Sequence, residues 1–245
     1  MAVTVKIEIC AFTFEACTNA ELGGANRIEL CDNPGEGGTT PSYGLIKRVR
    51  EKVSLKLYPI IRPRGGNYFY SDDEFEIMLS DVKICKTLGC DGVSIGTQKI
   101  DGTIDIDRMK RIVDTADGMG VTCNRAFDLT PNPVKALEDL INAGCERVLT
   151  SGQEMLAPEA PELLAKLVNQ AGNRIIVMPG SGVRPENVGS LAAKCRAKEY
   201  HSAARRYIDN PMTFQNPKVH DLGRVVVADA DIIRAIRKNA EAALL

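Results

Sequence analysis

The chain has 245 residues, a formal net charge of −1, 44% hydrophobic residues and 26% charged residues. That size suits a single α/β barrel with a sizeable core, and the near-neutral balance gives no sign of a nucleic-acid or membrane partner. No apolar run approaches the ~20 residues of a membrane span, and residues 1–5 show neither a basic n-region nor a cleavage pattern, which favours a cytoplasmic location.

A first strand is read over residues 3–10, where Ile7 and Ile9 alternate with Lys6, Glu8 and Cys10. Thr13 caps a helix that Gly23 and Gly24 stop. The second strand, 26–31, puts Arg27, Glu29 and Cys31 on one face and Ile28 and Leu30 on the other. A glycine-rich loop follows, and Thr40-Pro41 reads as the start of a helix running to about Lys52. The third strand, 55–61, runs into Arg62-Pro63-Arg64-Gly65-Gly66. Ser71-Asp72-Asp73-Glu74 is a capping box opening a helix that ends near Gly89. Strand four spans 92–96, Asp105 caps a helix to about Ala116, and strand five spans 121–127. A helix over 133–143 is closed by Gly144, strand six spans 147–151, and a helix over 158–171 is closed by Gly172. Strand seven, 174–178, leads into Pro179-Gly180-Ser181-Gly182 and a helix from Pro185 to about Cys195. The eighth strand is 199–202, residues 206–227 read as an irregular insertion, and Asp229 caps a last helix to about Ala243.

Eight strands, each followed by a helix, predict a single-domain α/β fold, the (β/α)₈ TIM barrel. The competing doubly wound sheet lacks support, because no G-x-G-x-x-G opens a helix after a strand, and no motif indicates a nucleotide or organic cofactor. Cys-Glu-Arg-Val at 145–148 echoes Ala-Asn-Arg-Ile at 25–28, which is read as the barrel period rather than a meaningful repeat.

Barrel interiors are ordinarily filled by bulky apolar side chains. Here alternation turns Lys6, Glu8, Cys10, Arg27, Glu29, Cys31, Tyr58, Ile60, Arg62, Ser94, Thr122, Asn124, Glu199 and His201 inward, while strands six and seven are too short and mixed for faces to be assigned. Buried charges are costly without partners. One reading is a salt-bridged plug in which Glu8 and Glu29 pair with Arg62 and Lys6. The other is a polar site at the C-terminal rim, with Glu8, Glu29, Arg62, Asn124 and His201 as catalytic candidates and the two glutamates as an acid–base pair. Gly180, Ser181 and Gly182, with Asn187 and Ser202 nearby, resemble a backbone cradle for an anion. Arg62 faces inward, positioned to clamp a carboxylate or phosphate, whereas Arg64 is expected to pair with Asp72 or Asp73.

The eight cysteines are scattered, with no C-x-x-C, and read as free thiols. Cys10 and Cys31 end neighbouring strands about 5 Å apart. Two thiolates that close suit Cu(I); two ordinary buried thiols, or an adventitious disulfide, are the alternatives. Histidine occurs only at 201 and 220, which rules out a His-rich metal site, and neither a nucleophile elbow nor H-E-x-x-H is present. Two functions remain open from the residues: a Cu(I)-binding protein, or an enzyme acting on a small anionic or phosphorylated metabolite. A third, a scaffold acting through oligomer contacts, would use the proline-bearing 206–227 segment.

Glu8-Ile9-Cys10, Arg27-Ile28-Glu29-Leu30-Cys31, Glu36-Gly37-Gly38-Thr39-Thr40-Pro41-Ser42 and Ile61-Arg62-Pro63-Arg64-Gly65-Gly66 form an ordered set of motifs. Tyr70-Ser71-Asp72, Arg125-Ala126-Phe127-Asp128, Arg147-Val148-Leu149-Thr150-Ser151-Gly152 and His201-Ser202-Ala203 continue it. Together they resemble the CutC family of copper homeostasis proteins over about residues 3–205. The resemblance implies a cytoplasmic TIM barrel, a homo-oligomer (dimer or tetramer), a link to copper tolerance, and Cu(I) held at Cys10 and Cys31. The sequence departs from the family pattern at Asn124, where members usually carry His, and at Ser181, where they usually carry a second glycine.

Overall fold

The computed structural model describes residues 4–209, 211–214, 216–218 and 225–245. The expected strand start at Val3, His220 and part of the 206–227 segment lie outside the described residues. Eight parallel strands form the sheet: β1 (Lys6–Ala11), β2 (Arg27–Leu30), β3 (Lys56–Ile61), β4 (Gly92–Ile95), β5 (Gly120–Cys123), β6 (Arg147–Thr150), β7 (Ile176–Pro179) and β8 (Glu199–Ser202). Around them lie α1 (Phe14–Leu22), α2 (Tyr43–Lys52), α3 (Asp72–Thr87), α4 (Ile106–Ala116), α5 (Pro133–Ala143), α6 (Pro161–Ala171), α7 (Pro185–Cys195) and α8 (Ala230–Ala242). The strand order β7-β6-β5-β4-β3-β2-β1-β8 makes a nearly closed barrel. No described helix is long and apolar enough to cross a membrane.

Local chemistry sets most of these boundaries. α5 and α7 each begin with proline in the first turn, where a missing N–H costs nothing, and α5 ends at Gly144, whose φ of 87° suits a residue without Cβ. At the start of α3, the N–H of Glu74 donates to Ser71 Oγ at 3.1 Å and the N–H of Ser71 donates to the Glu74 carboxylate at 2.8 Å. Ser71→Ala removes one half of that box and is expected to lower stability by about 1 kcal/mol, read from the urea midpoint at unchanged slope.

Four expectations shift. α2 starts at Tyr43 with Ser42 as its cap, because the Thr40 hydroxyl accepts the N–H of Arg62 at 2.9 Å instead. β5 stops at Cys123, because the Asn124 side chain caps a 3₁₀ turn over Arg125–Leu129. A separate 3₁₀ turn, Ala157–Glu159, delays α6 to Pro161. The 206–227 segment is bracketed by an antiparallel ribbon, β9 (Arg205–Ile208) on β10 (Val225–Ala228), where an irregular insertion was expected.

Each strand divides its side chains between two environments. Ile7, Ile9, Ile28, Leu30 and Ile61 are buried in the layer between strands and helices. Tyr58 fills part of the interior, and a Cβ added at Gly92 would lie 2.2 Å from its ring, so β4 must begin with glycine. Ile60, Leu149 and Met178 supply further apolar side chains, and charged and polar groups fill the rest, unlike an ordinary barrel core.

Candidate functional site

Two arginines and two glutamates occupy the interior below the mouth. Arg27 donates through Nε to Glu8 in a very close contact, and through Nη2 to Glu199 at 2.7 Å. Arg147 donates through Nε to the same Glu199 oxygen at 2.7 Å. Their guanidinium carbons lie 5.2 and 5.6 Å from the Tyr58 ring centroid. All four charged side chains are essentially excluded from solvent. Such a group persists only when each charge has a partner, and each does. The plug is therefore real but differs from the one expected. Glu8 pairs with Arg27, not with Lys6 or Arg62, and Glu29 stands outside the pairing.

Above the plug, β1, β2 and β8 bring a second set together. The register sets Glu8 opposite His201, and His201 Nδ1 lies 2.8 Å from Glu8 Oε1. A Cβ at position 180 would meet His201 Cβ at 3.0 Å, so Gly180 is what lets this ring sit against β7. His201 Nε2 is 3.7 Å from Glu29 Oε2. Cys10 Sγ is 3.6 Å from Cys31 Sγ, and these two sulfurs and a Glu29 oxygen all lie within 4.8 Å of one another.

The electrostatics of this set are unequal. Burial works against charge on Glu8, but Arg27, His201 and Arg147 outweigh it and hold the carboxyl well below its usual range. Burial, and then the charge on Cys10, push Glu29 up to about 8, so it carries its proton at neutral pH. The hydrogen bond from Cys31, against the cost of burial and with help from His201, brings Cys10 down to about 5. Burial and the same contact push the Cys31 thiol well up. For His201, burial opposes the charged form, yet Cys10, Glu8 and Glu29 keep its pKa well above the ordinary value. These shifts favour the thiolate on Cys10, the proton on Cys31, the charged form of His201 and the neutral form of Glu29. Two soft donors lie beside a group able to give a proton.

The expected residues converge unevenly. Cys10, Glu29, Arg62, Asn124, Ser181, Gly182, His201 and Ser202 line one cavity of about 720 Å³ at the strand C-termini. Glu8, Cys31 and Gly180 are not among its lining residues. Arg62 is not the clamp expected. Its two terminal nitrogens donate to the carbonyls of Glu36 at 2.6 Å, Gly38 at 2.8 Å and Gly66 at 2.7 Å, so the fork stitches two glycine-rich loops together. Arg64 pairs with Glu74 at 2.5 Å, not with Asp72 or Asp73. In the anion loop, the Gly180 N–H donates to Thr150 O, and the Ser202 hydroxyl donates to Val183 O and accepts from Ala204 N, so both are engaged in holding the backbone. Arg147 is the residue the sequence reading missed. The echo between 145–148 and 25–28 was its signal, since the two repeated arginines converge on Glu199.

A family model described as the CutC family matches residues 5–206. The chain belongs to the CutC family. A CutC family protein of Chromobacterium violaceum is 49% identical over 209 residues, covering 85% of each chain. One from Parabacteroides distasonis is 44% identical over 237 residues, covering 96% of this chain and 98% of the relative. A crystal structure of a CutC protein from Streptococcus agalactiae, named for a proposed role in copper homeostasis, superposes with a TM-score of 0.78 at 31% identity, covering 81% of this chain and 98% of that one. The CutC match runs from β1 to the end of β8 and into the first residues of β9, so the thiol pair, the plug and the cavity-lining strand ends all lie within the shared region.

Proposed function

We propose that the protein binds Cu(I) through Cys10 and Cys31 and serves copper homeostasis in the cytoplasm. The observation that carries the reading is the pair of sulfurs 3.6 Å apart at the rim of the cavity, where the Cys31 contact and His201 bring Cys10 down to about 5. Thiolates select Cu(I) by softness. The nearest oxygen donor, Glu29, is protonated near pH 7 and does not complete the four-donor set that zinc prefers. All eight cysteines are free thiols, which fits a reducing compartment. Membership of the CutC family supports the same assignment.

The test is a Cu(I) titration under reducing conditions against a chromophoric competitor. Wild type is expected to take one equivalent of Cu(I), and the Cys10→Ser/Cys31→Ser double variant to lose at least about 100-fold in affinity, as both soft donors become hard hydroxyls. Equal affinity in the two proteins would remove the proposal. Far-UV circular dichroism of the double variant separates lost binding from lost fold.

A further inference from the structure

A second pair of thiols lies at the opposite end of the barrel, where α3 ends and β4 begins. The end of α3 is closed by two backbone bonds. The Gly89 N–H donates to Lys86 O at 3.0 Å, and the Cys90 N–H donates to Cys85 O at 3.0 Å, with Gly89 at a φ of 75°. Such a closure brings the side chains of its outer two residues into contact, and here both are cysteine. α1 and α5 close in the same way, with Ala25 on Ala20 and Cys145 on Leu140. Of these three closures, that of α3 alone joins two thiols. The two surroundings are unequal. The hydrogen bond from Cys85, against the cost of burial and with help from the Arg50 guanidinium, brings Cys90 below the ordinary thiol value. The same contact, and then burial, push Cys85 up. Arg50 is fixed in place by Asp91 Oδ2 at 2.9 Å and Val53 O at 2.6 Å. Cys145 occupies the same place in its closure, and burial pushes it up to about 12. A thiol that ionises readily, in contact with one that keeps its proton, is the arrangement of an attacking and a resolving cysteine.

We propose that Cys85 and Cys90 are a redox-active dithiol, a modification site that hydrogen peroxide converts to an intramolecular disulfide. The Cys90 thiolate attacks one peroxide oxygen, the O–O bond breaks, hydroxide leaves and takes up a proton, and Cys90 becomes a sulfenic acid. The Cys85 sulfur then attacks the Cys90 sulfur, its proton passes to the departing hydroxyl, and water leaves. Two thiols thereby lose two electrons and two protons, and one peroxide is reduced to two waters. The order follows exposure as well as charge, since Cys90 is 7% exposed and Cys85 1%. A small oxidant suits so narrow an access. Neither cysteine lines the cavity at the mouth, and a disulfide needs no space for a ligand, because it forms within the volume the two thiols already fill. The four residues between the cysteines are already held in a closed turn, so the bond is made without first closing a loop. The site uses neither Cys10 nor Cys31, so it stands apart from the copper reading.

The test treats the reduced full chain with hydrogen peroxide, blocks the remaining thiols and maps tryptic peptides. Cleavage after Lys83, Lys86 and Lys99 separates the two cysteines, so the bond appears as residues 84–86 joined to 87–99. That pair is expected to form, and to disappear on treatment with dithiothreitol. Cys145 serves as the internal control, since it is 4% exposed and holds the same place in its helix closure. Cys90 is expected to lose its free thiol at least about tenfold faster than Cys145. Cys85→Ser keeps a hydrogen-bond donor but removes the resolving sulfur, so Cys90 should then persist as a sulfenic acid that dimedone traps. Cys10→Ser/Cys31→Ser should form the 84–86 to 87–99 link as wild type does, so the result is read independently of copper. Absence of that link, oxidation of Cys145 as fast as Cys90, or a Cys85→Ser chain in which Cys90 takes up no dimedone would each overturn the proposal.

Discussion

Arg27→Met is expected to destabilise the fold by about 3–5 kcal/mol, the range seen when one partner is removed from a buried ionic group. Arg27 touches Glu8, Glu199 and the sulfur of Met178, and stacks near Tyr58. Methionine replaces its length and much of its apolar contact but not its charge. Glu8 then keeps His201 and the more distant charge of Arg147, and Glu199 keeps Arg147 and Lys6 at 3.8 Å, so both carboxylates lose their bridging cation inside a barrel that water does not reach. Arg27→Lys restores the charge without the fork that reaches two carboxylates at once, so it is expected to recover only part of the loss. Urea denaturation at pH 7 reads both variants, and a cost below about 1 kcal/mol for Arg27→Met would show that the plug is not a coupled unit. The pH dependence gives a second signature. Glu8 has a folded pKa below its unfolded one, so its contribution is present above the unfolded value of 4.5 and is lost as pH falls below it. That acid limb should be shallower in Arg27→Met, because part of the depression has gone.

Punctuation residues made the fold legible. Proline in the first turn and glycine just past the end located α5, and proline in the first turn located α7. The Ser71-to-Glu74 box located α3. Errors came where a side chain took over a backbone role that periodicity cannot show. Asn124 capped the chain after β5 and ended a strand expected to continue, and Thr40 was drawn away from its helix by Arg62. The site was legible to the extent that alternation places charges inward, which held for Glu8, Arg27, Glu29, Glu199 and His201. Pairing was not legible, because it depends on three-dimensional order within the barrel. Glu199 from the last strand meets Arg27 from the second and Arg147 from the sixth, and no spacing in the chain announces that. Arg62 shows the opposite failure. Its inward direction was read correctly, but the carbonyls of Glu36, Gly38 and Gly66 that consume its fork lie in loops without periodicity.

Cys10 should react with iodoacetamide at a rate almost independent of pH between about 6 and 7.5, whereas an ordinary thiol of pKa about 8.5 accelerates about 30-fold over the same interval. The shape of the profile carries the information, not the rate at pH 7. With its pKa brought down to about 5, Cys10 is almost wholly thiolate at pH 7. A thiolate of lower basicity is also a weaker nucleophile, with a Brønsted slope of about 0.4–0.5, so the gain in thiolate fraction and the loss in reactivity nearly cancel. Peptide mapping across pH separates Cys10, which is partly exposed, from the seven buried cysteines. His201→Gln removes one of the contacts that lower Cys10 and should make the profile steeper, while a steep profile in the wild type would discard the thiolate assignment. Stability measurements would not substitute for this experiment. Cys10, depressed to about 5, adds stability as pH rises from there toward its unfolded value of 9.0, while Glu29, raised to about 8, subtracts it as pH rises from 4.5. Across neutral pH these two contributions oppose each other, and His201, whose folded pKa is raised, subtracts stability as pH rises past its unfolded value of 6.5, so the slope of the unfolding curve does not isolate the thiolate that would receive Cu(I).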